Sequence, residues 1–197
     1  MTVTNRRALV ALAAALALTA CSKPPTEAIA AADAAQQAAV AAGAEEYAPE
    51  AMNAVTEAKA ALDAELAAQG QKMSLTRSYK QAEALVATYK TAADQATTAA
   101  AAGKEQAKQE ATTLISEGRM ALDEATTLLA SAPRGKGSAA DIAAMKADLE
   151  AAGVALTEAE TSLTNGMFLD AKSKATSAKE SIQRVKDAVT AAQAARR

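Results

Sequence analysis

Apolar residues recur along most of this chain in alternating steps of three and four, the spacing that keeps one face of an α-helix dry. Ile142, Met145, Leu149, Ala152, Leu156, Ala159 and Leu163 follow it without a break. So do Phe168, Ala171, Ala175, Ala178, Ile182, Val185, Val189 and Ala192. A third seam runs Leu75, Tyr79, Ala82, Val86, Tyr89, Ala93, Ala96, Ala100, Gly103 and Ala107, then Ala111, Leu114, Gly118, Ala121, Ala125 and Leu128. Two four-residue steps meet at Ala107, a stutter that predicts a change of packing partner along one helix.

Breakers are few and divide the chain. Pro24 and Pro25 forbid helix and form a short stiff tether, after which Thr26 is expected to cap a first helix over 27–42. Gly43 suits a left-handed cap, Pro49 the first turn of a second helix, and Gly70 its end. Ser74 is read as the cap of a third helix, with Met73 just outside it. That helix reaches Ala132, about 58 residues or about 87 Å at 1.5 Å per residue. Gly103 and Gly118 lie inside it, and a break near Gly103 is the alternative. The segment Pro133-Arg134-Gly135-Lys136-Gly137-Ser138 is the next strong break, and Ser138 to Asp141 has the form of a capping box. Asn165-Gly166 then separates off a last helix over 167–195.

The expected fold class is therefore all-α: an elongated antiparallel helical bundle, two spectrin-like three-helix units sharing a long central helix. The first unit would span 27–102 and the second 103–197. The likeness to spectrin repeats is one of architecture alone.

The first twenty residues read as an address. Arg6 and Arg7 precede an apolar run from Ala8 to Leu18, which is too short to span a bilayer, and small residues follow. Leu18-Thr19-Ala20-Cys21 resembles a bacterial lipobox. The resemblance implies cleavage between Ala20 and Cys21, with acylation of the Cys21 thiol and of the new amino group. Cys21 is the only cysteine in the chain. Three acyl chains make such an anchor effectively permanent, each buried CH₂ adding ~0.8 kcal/mol. Ser22 at the next position, by resemblance to Gram-negative lipoproteins, implies the periplasmic face of the outer membrane.

Composition narrows the chemistry. Alanine supplies 60 of 197 residues, and there is no His and no Trp. Without His there is no His triad, His base or His metal ligand, and one Cys makes neither an internal disulfide nor a Cys-based zinc site. Balanced charge, 21 Lys+Arg against 23 Asp+Glu, with 2% aromatics, argues against a nucleic-acid binder. The acidic pairs Glu45-Glu46 and Asp123-Glu124 read as solvated helix faces. Gly135-Lys136-Gly137-Ser138 lacks the spacing of a phosphate loop and reads as a basic turn, with Arg134 and Lys136 as candidate contacts to an anionic surface. No cofactor, metal or catalytic residue is expected.

The stretch from Gly43 to Glu50, after an Ala-rich helix, resembles a family of bacterial envelope lipoproteins known as a domain of unknown function. The resemblance covers about Thr26 to Ala100 and implies a helical fold and an envelope location, but no activity. Some members carry a peptidoglycan-binding domain of the outer-membrane-protein-A type, for which 197 residues leave no room. Tyr47 is read as the plug of the bundle end, with a ligand contact as its functional alternative. Arg196-Arg197 does not offer the terminal Lys by which small lipoproteins join peptidoglycan.

The expected function is that of a lipid-anchored envelope protein with a structural or adaptor role and no catalysis. Its partners would be the membrane, through the N-terminal lipid, and an envelope protein or peptidoglycan; self-association through the Ala seams stays open. The rivals are an amphipathic lipid-binding protein and a peptidoglycan-contacting spacer.

Overall fold

A computed structural model describes residues 23–132 and 138–194. Every regular element among them is helical: α1 (Thr26–Ala41), α2 (Ala44–Tyr47), α3 (Pro49–Gly70), a 3-10 turn (Ser74–Thr76), α4 (Lys80–Ala130), α5 (Ser138–Thr164) and α6 (Phe168–Ala194). The chain is an all-α bundle protein. The expected addresses of the signal and lipobox, including Ala20 and Cys21, and of Arg134 and Lys136 lie outside the described residues.

The glycines and prolines act largely where the sequence placed them. Gly43 takes φ +85° between α1 and α2, and Gly166 takes φ +78° between α5 and α6. Both are left-handed conformations that favour glycine. Pro49 occupies the first turn of α3, where its missing N–H costs nothing. Helix α4 continues through Gly103 and Gly118 for 51 residues.

Two caps differ from expectation. Thr26 is the first residue of α1 and makes no capping bond; the chain turns into the helix at Pro25, whose carbonyl accepts the Ile29 N–H at 3.0 Å. Ser74 does not start α4 either. The segment after Gly70 is folded into a 3-10 turn, and α4 begins only at Lys80. The reason is competition for backbone groups. Arg77 binds the carbonyls of Lys72 and Gly70, while Gln69 Oε1 accepts the Ser78 N–H at 3.1 Å. A side chain from α3 thus serves the start of α4.

The chain divides into two compact units between Ala102 and Gly103, with α4 contributing to both. In the first, α1, α3 and the early part of α4 surround a core of Ala32, Ala39, Met52, Val55, Leu62, Val86, Tyr89 and further alanines of α4. Asp33 and Gln36 of α1 both reach Tyr89 of α4, and Lys59 of α3 reaches Asp33, so these residues share one level. The second unit comprises the rest of α4 with α5 and α6, around Ile115, Leu129, Leu149, Leu156, Ile182, Val185 and Val189. Three ion pairs join α4 to α6: Lys172 with Glu110, Lys179 with Glu117, and Lys186 with Glu124. Their constant offset in sequence makes these two helices parallel, with α5 antiparallel between them.

Most seam positions are buried, with Gly103, Ala121, Ile142, Met145, Leu163 and Phe168 half-buried. Leu75 and Ala192 are exposed. Ile115 and Leu129 are buried, whereas Leu114 and Leu128, the residues assigned to the seam, are half-buried. A helix touching two partners needs an apolar stripe wider than a strict three-four line. The stripe of α4 in the second unit accordingly includes both members of each pair.

Gly118 has a packing role. A Cβ there would stand 2.7 Å from Leu156 Cδ2, so the missing side chain is what admits the fully buried Leu156 of α5.

Candidate functional site

Of the residues singled out from the sequence, Tyr47 alone falls within the described part. It is the half-buried last residue of α2. Its ring lies over Gly43, where a Cβ would stand 3.2 Å from Tyr47 Cδ2, and its N–H donates to the Gly43 carbonyl at 2.9 Å. The ring thus closes the turn between α1 and α3.

The most developed polar cluster was not anticipated. Tyr89 is fully buried, and its hydroxyl donates to Asp33 Oδ1 at 2.9 Å, with Gln36 Oε1 as a second acceptor. Lys59 Nζ donates to the same Asp33 oxygen at 3.1 Å and sits 5.2 Å from the centroid of the Tyr89 ring, within cation–π range. Burial, reinforced by the Asp33 hydrogen bond and charge, pushes the phenol up to about 12. Burial works against the Asp33 charge, but hydrogen bonds from Lys59 and Tyr89 and the Lys59 charge outweigh it and hold the carboxyl below its ordinary value. The available signal was Asp33 and Gln36 three apart on an alanine-rich helix. Tyr89 itself was read only as core.

These shifts decide what the cluster can do. A general acid or base works best with a pKa near the operating pH. Here the phenol is driven far above neutrality and the carboxylate below its usual range. The arrangement suits holding three helices together and is ill-suited to moving protons.

A second cluster sits at the turn between α5 and α6. Ser162 is 2% exposed, and its Oγ meets Asp170 Oδ2 at 2.6 Å and Lys174 Nζ at 3.1 Å; Lys174 also pairs with Asp170 at 2.8 Å. A serine beside a lysine invites comparison with a nucleophile and its base, which would need a lysine of depressed pKa. The hydrogen bond that Lys174 donates to Asp170 instead raises the ammonium above its ordinary value, so it keeps its proton. The trio clamps the turn. Nearby, Arg119 forks onto both carboxylate oxygens of Glu160 and reaches Thr157, tying α4 to α5.

An open groove of about 290 Å³ runs between α5 and α6, floored by Ala152, Ala155 and Ala178 and edged by Asp148, Ser181 and Arg184. Among the described residues no group of three acidic or thiol side chains could hold a metal ion, and no helix is long and apolar enough to cross a membrane. No family model, curated protein or solved structure matches the chain.

Proposed function

We propose that this chain is a lipoprotein of the bacterial cell envelope, anchored through acylated Cys21 on the periplasmic face of the outer membrane, with a structural or adaptor role. One observation carries the reading: a basic start, a short apolar run and Leu18-Thr19-Ala20-Cys21, with no second cysteine in the chain. Two features support it. Pro24-Pro25 separates the lipidated residue from α1, which starts at Thr26. The two units beyond present charged helix faces to an envelope protein or peptidoglycan, and their polar clusters bind helices together rather than poise protons.

The test is metabolic labelling of cells with an alkyne analogue of palmitate. The parent chain is expected to carry label and to fractionate with the outer membrane. C21S is expected to lose the label and to leave the membrane fraction. Equal labelling of C21S, or none of the parent, defeats the proposal. Cross-linking in intact cells then names the partner. Reproducible adducts to one envelope protein make the chain an adaptor, whereas adducts only to itself or to peptidoglycan make it a spacer.

A further inference from the structure

The loop between α3 and α4 is pinned by its own hydrogen bonds while its hydrocarbon is turned out to solvent. Arg77 Nε donates to the Lys72 carbonyl at 2.9 Å and Nη2 to the Gly70 carbonyl at 3.1 Å; Thr76 Oγ1 donates to the Met73 carbonyl at 3.0 Å. Gln69, buried beneath, holds the Ser78 N–H. Between these fixed points Met73 is 77% exposed and Leu75 is 89% exposed, the two highest values for large hydrophobics among the described residues. Apolar surface held in water by a hydrogen-bonded frame is surface available to something apolar.

The loop's place says what that is. Asp33, Lys59 and Tyr89 share one level of the first unit, with α1 and α4 running opposite to α3. From that level Thr26 lies about 10 Å away, Gly70 about 16 Å and Lys80 about 14 Å, all toward the same end. The exposed turn therefore sits at the end where the chain enters the unit from Lys23, two residues after Cys21. Within the loop the charge is one-signed, with Glu27 and Glu83 in the flanking first turns of α1 and α4. Lys72, Arg77 and Lys80 occur between Gln69 and Ala82 with no acid among them, in a chain of net charge −2. Lys23, Lys72 and Lys80 are all exposed.

We infer that the Met73–Leu75 turn is a lipid contact: both side chains enter the headgroup boundary of an anionic membrane, while Lys23, Lys72 and Lys80 lie among its phosphates. The inference rests on the proposed anchoring at Cys21. An acyl anchor alone fixes distance and leaves orientation free. A second, weaker contact at the same end sets the first unit on its base. Apolar side chains ringed by lysines are the usual chemistry of such a surface contact.

The chain has no Trp and one Cys, which makes the test clean. The mature chain is coupled through Cys21 to maleimide-bearing lipid in vesicles of phosphatidylethanolamine and phosphatidylglycerol, so the anchor is supplied whether or not cells acylate it. L75W is expected to shift its emission to the blue and to be quenched about threefold by brominated acyl chains, as for a ring at the acyl boundary. V40W, at an exposed position near the far end of α1, is expected to show neither change. Equal emission from the two variants, with helical content unchanged by circular dichroism, overturns the inference. Adding K72E and K80E to L75W should cut quenching in these vesicles at least by about half; undiminished quenching removes the lysines from the contact. Failure of palmitate labelling in cells would defeat the reading of Cys21 without altering the vesicle result, so the two can fail separately.

Discussion

The core of the first unit is lined mostly by alanine, with Met52, Val55, Leu62, Val86 and two tyrosines between. In the core cluster of the second unit Ile115, Leu129, Leu149, Leu156, Ile182, Val185 and Val189 stand with five alanines. Alanine lets helix axes approach toward the short end of the 8–10 Å range but buries little area per residue. In the first unit Tyr89 provides the missing bulk, and a ring buried whole brings its hydroxyl inside. That hydroxyl needs a partner, because an unpaired buried polar group costs ~1–3 kcal/mol. Asp33 and Gln36 supply it, and Lys59 balances Asp33. The second unit fills its core with branched hydrocarbon, and its inter-helix charges are the Lys–Glu pairs of α4 and α6 and the Arg119–Glu160 pair of α4 and α5, none of them tied to a buried hydroxyl in the core. A polar network in the one unit and a surface ladder in the other thus follow from what each core has for volume.

The largest test of this contrast removes each unit's main filler. Y89A is expected to destabilise the first unit by about 4 kcal/mol, and L156A the second by about 3 kcal/mol. Hydrogen exchange read by mass spectrometry should show each loss of protection confined to its own unit. Loss spread evenly across both would mean that the units do not differ in the way described. Y89F sharpens the point by keeping the ring and deleting the hydroxyl. A cost of about 1 kcal/mol in denaturant unfolding is expected, since Asp33 keeps Lys59; no cost would make the hydroxyl incidental.

Titration follows with smaller effects. The folded phenol of Tyr89 ionises near 12, above its ordinary 10.0. Its contribution to stability is therefore complete below pH 10 and lost as pH rises toward 12. Tyrosinate absorbance should show a late component that Y89F abolishes. Asp33 shifts the other way, so its contribution is present above the ordinary carboxyl value of 3.8 and lost as pH falls through the lower folded value. D33N should flatten that acid limb. The smallest effect is expected from K179A, because exposed ion pairs are worth little and are screened by salt. A drop in melting temperature larger than that of Y89F would reverse the ranking of network over ladder.

Much of the fold was legible because its signals are local and repetitive. The three-four seams placed the helices, Gly43 and Gly166 marked turns by their left-handed geometry, and only one helix spans the glycine-poor stretch between the first turns and Pro133. The start of α4 was not legible. It depends on Gln69 and Arg77 competing for backbone groups across a loop, and serine before a periodic run looks the same with or without that competition. The Tyr89 cluster was half-visible: the ring is in its seam, but its bonds reach residues far apart in sequence. The Met73–Leu75 turn was hidden because Leu75 also fits the heptad, and the pattern alone cannot separate a buried position from one just past the helix end.

The ladder of α4 and α6 carries an ambiguity of its own. Its rungs repeat every seven residues, so a slide of α6 by one heptad would re-pair Lys172 with Glu117 and Lys179 with Glu124 and lose a single rung. A ruler with identical marks cannot define its own zero. Features outside that repeat lie nearby: Gly118, the vacancy that seats Leu156 of α5 on α4, and beside it the Arg119 fork onto Glu160; the clamped turn of Ser162, Asp170 and Lys174 then passes that alignment to α6. Filling the vacancy with G118A should loosen alignment more than any rung does, although alanine is the better helix former. In a sequence this repetitive, the information that selects one register rests in part on a residue with no side chain at all.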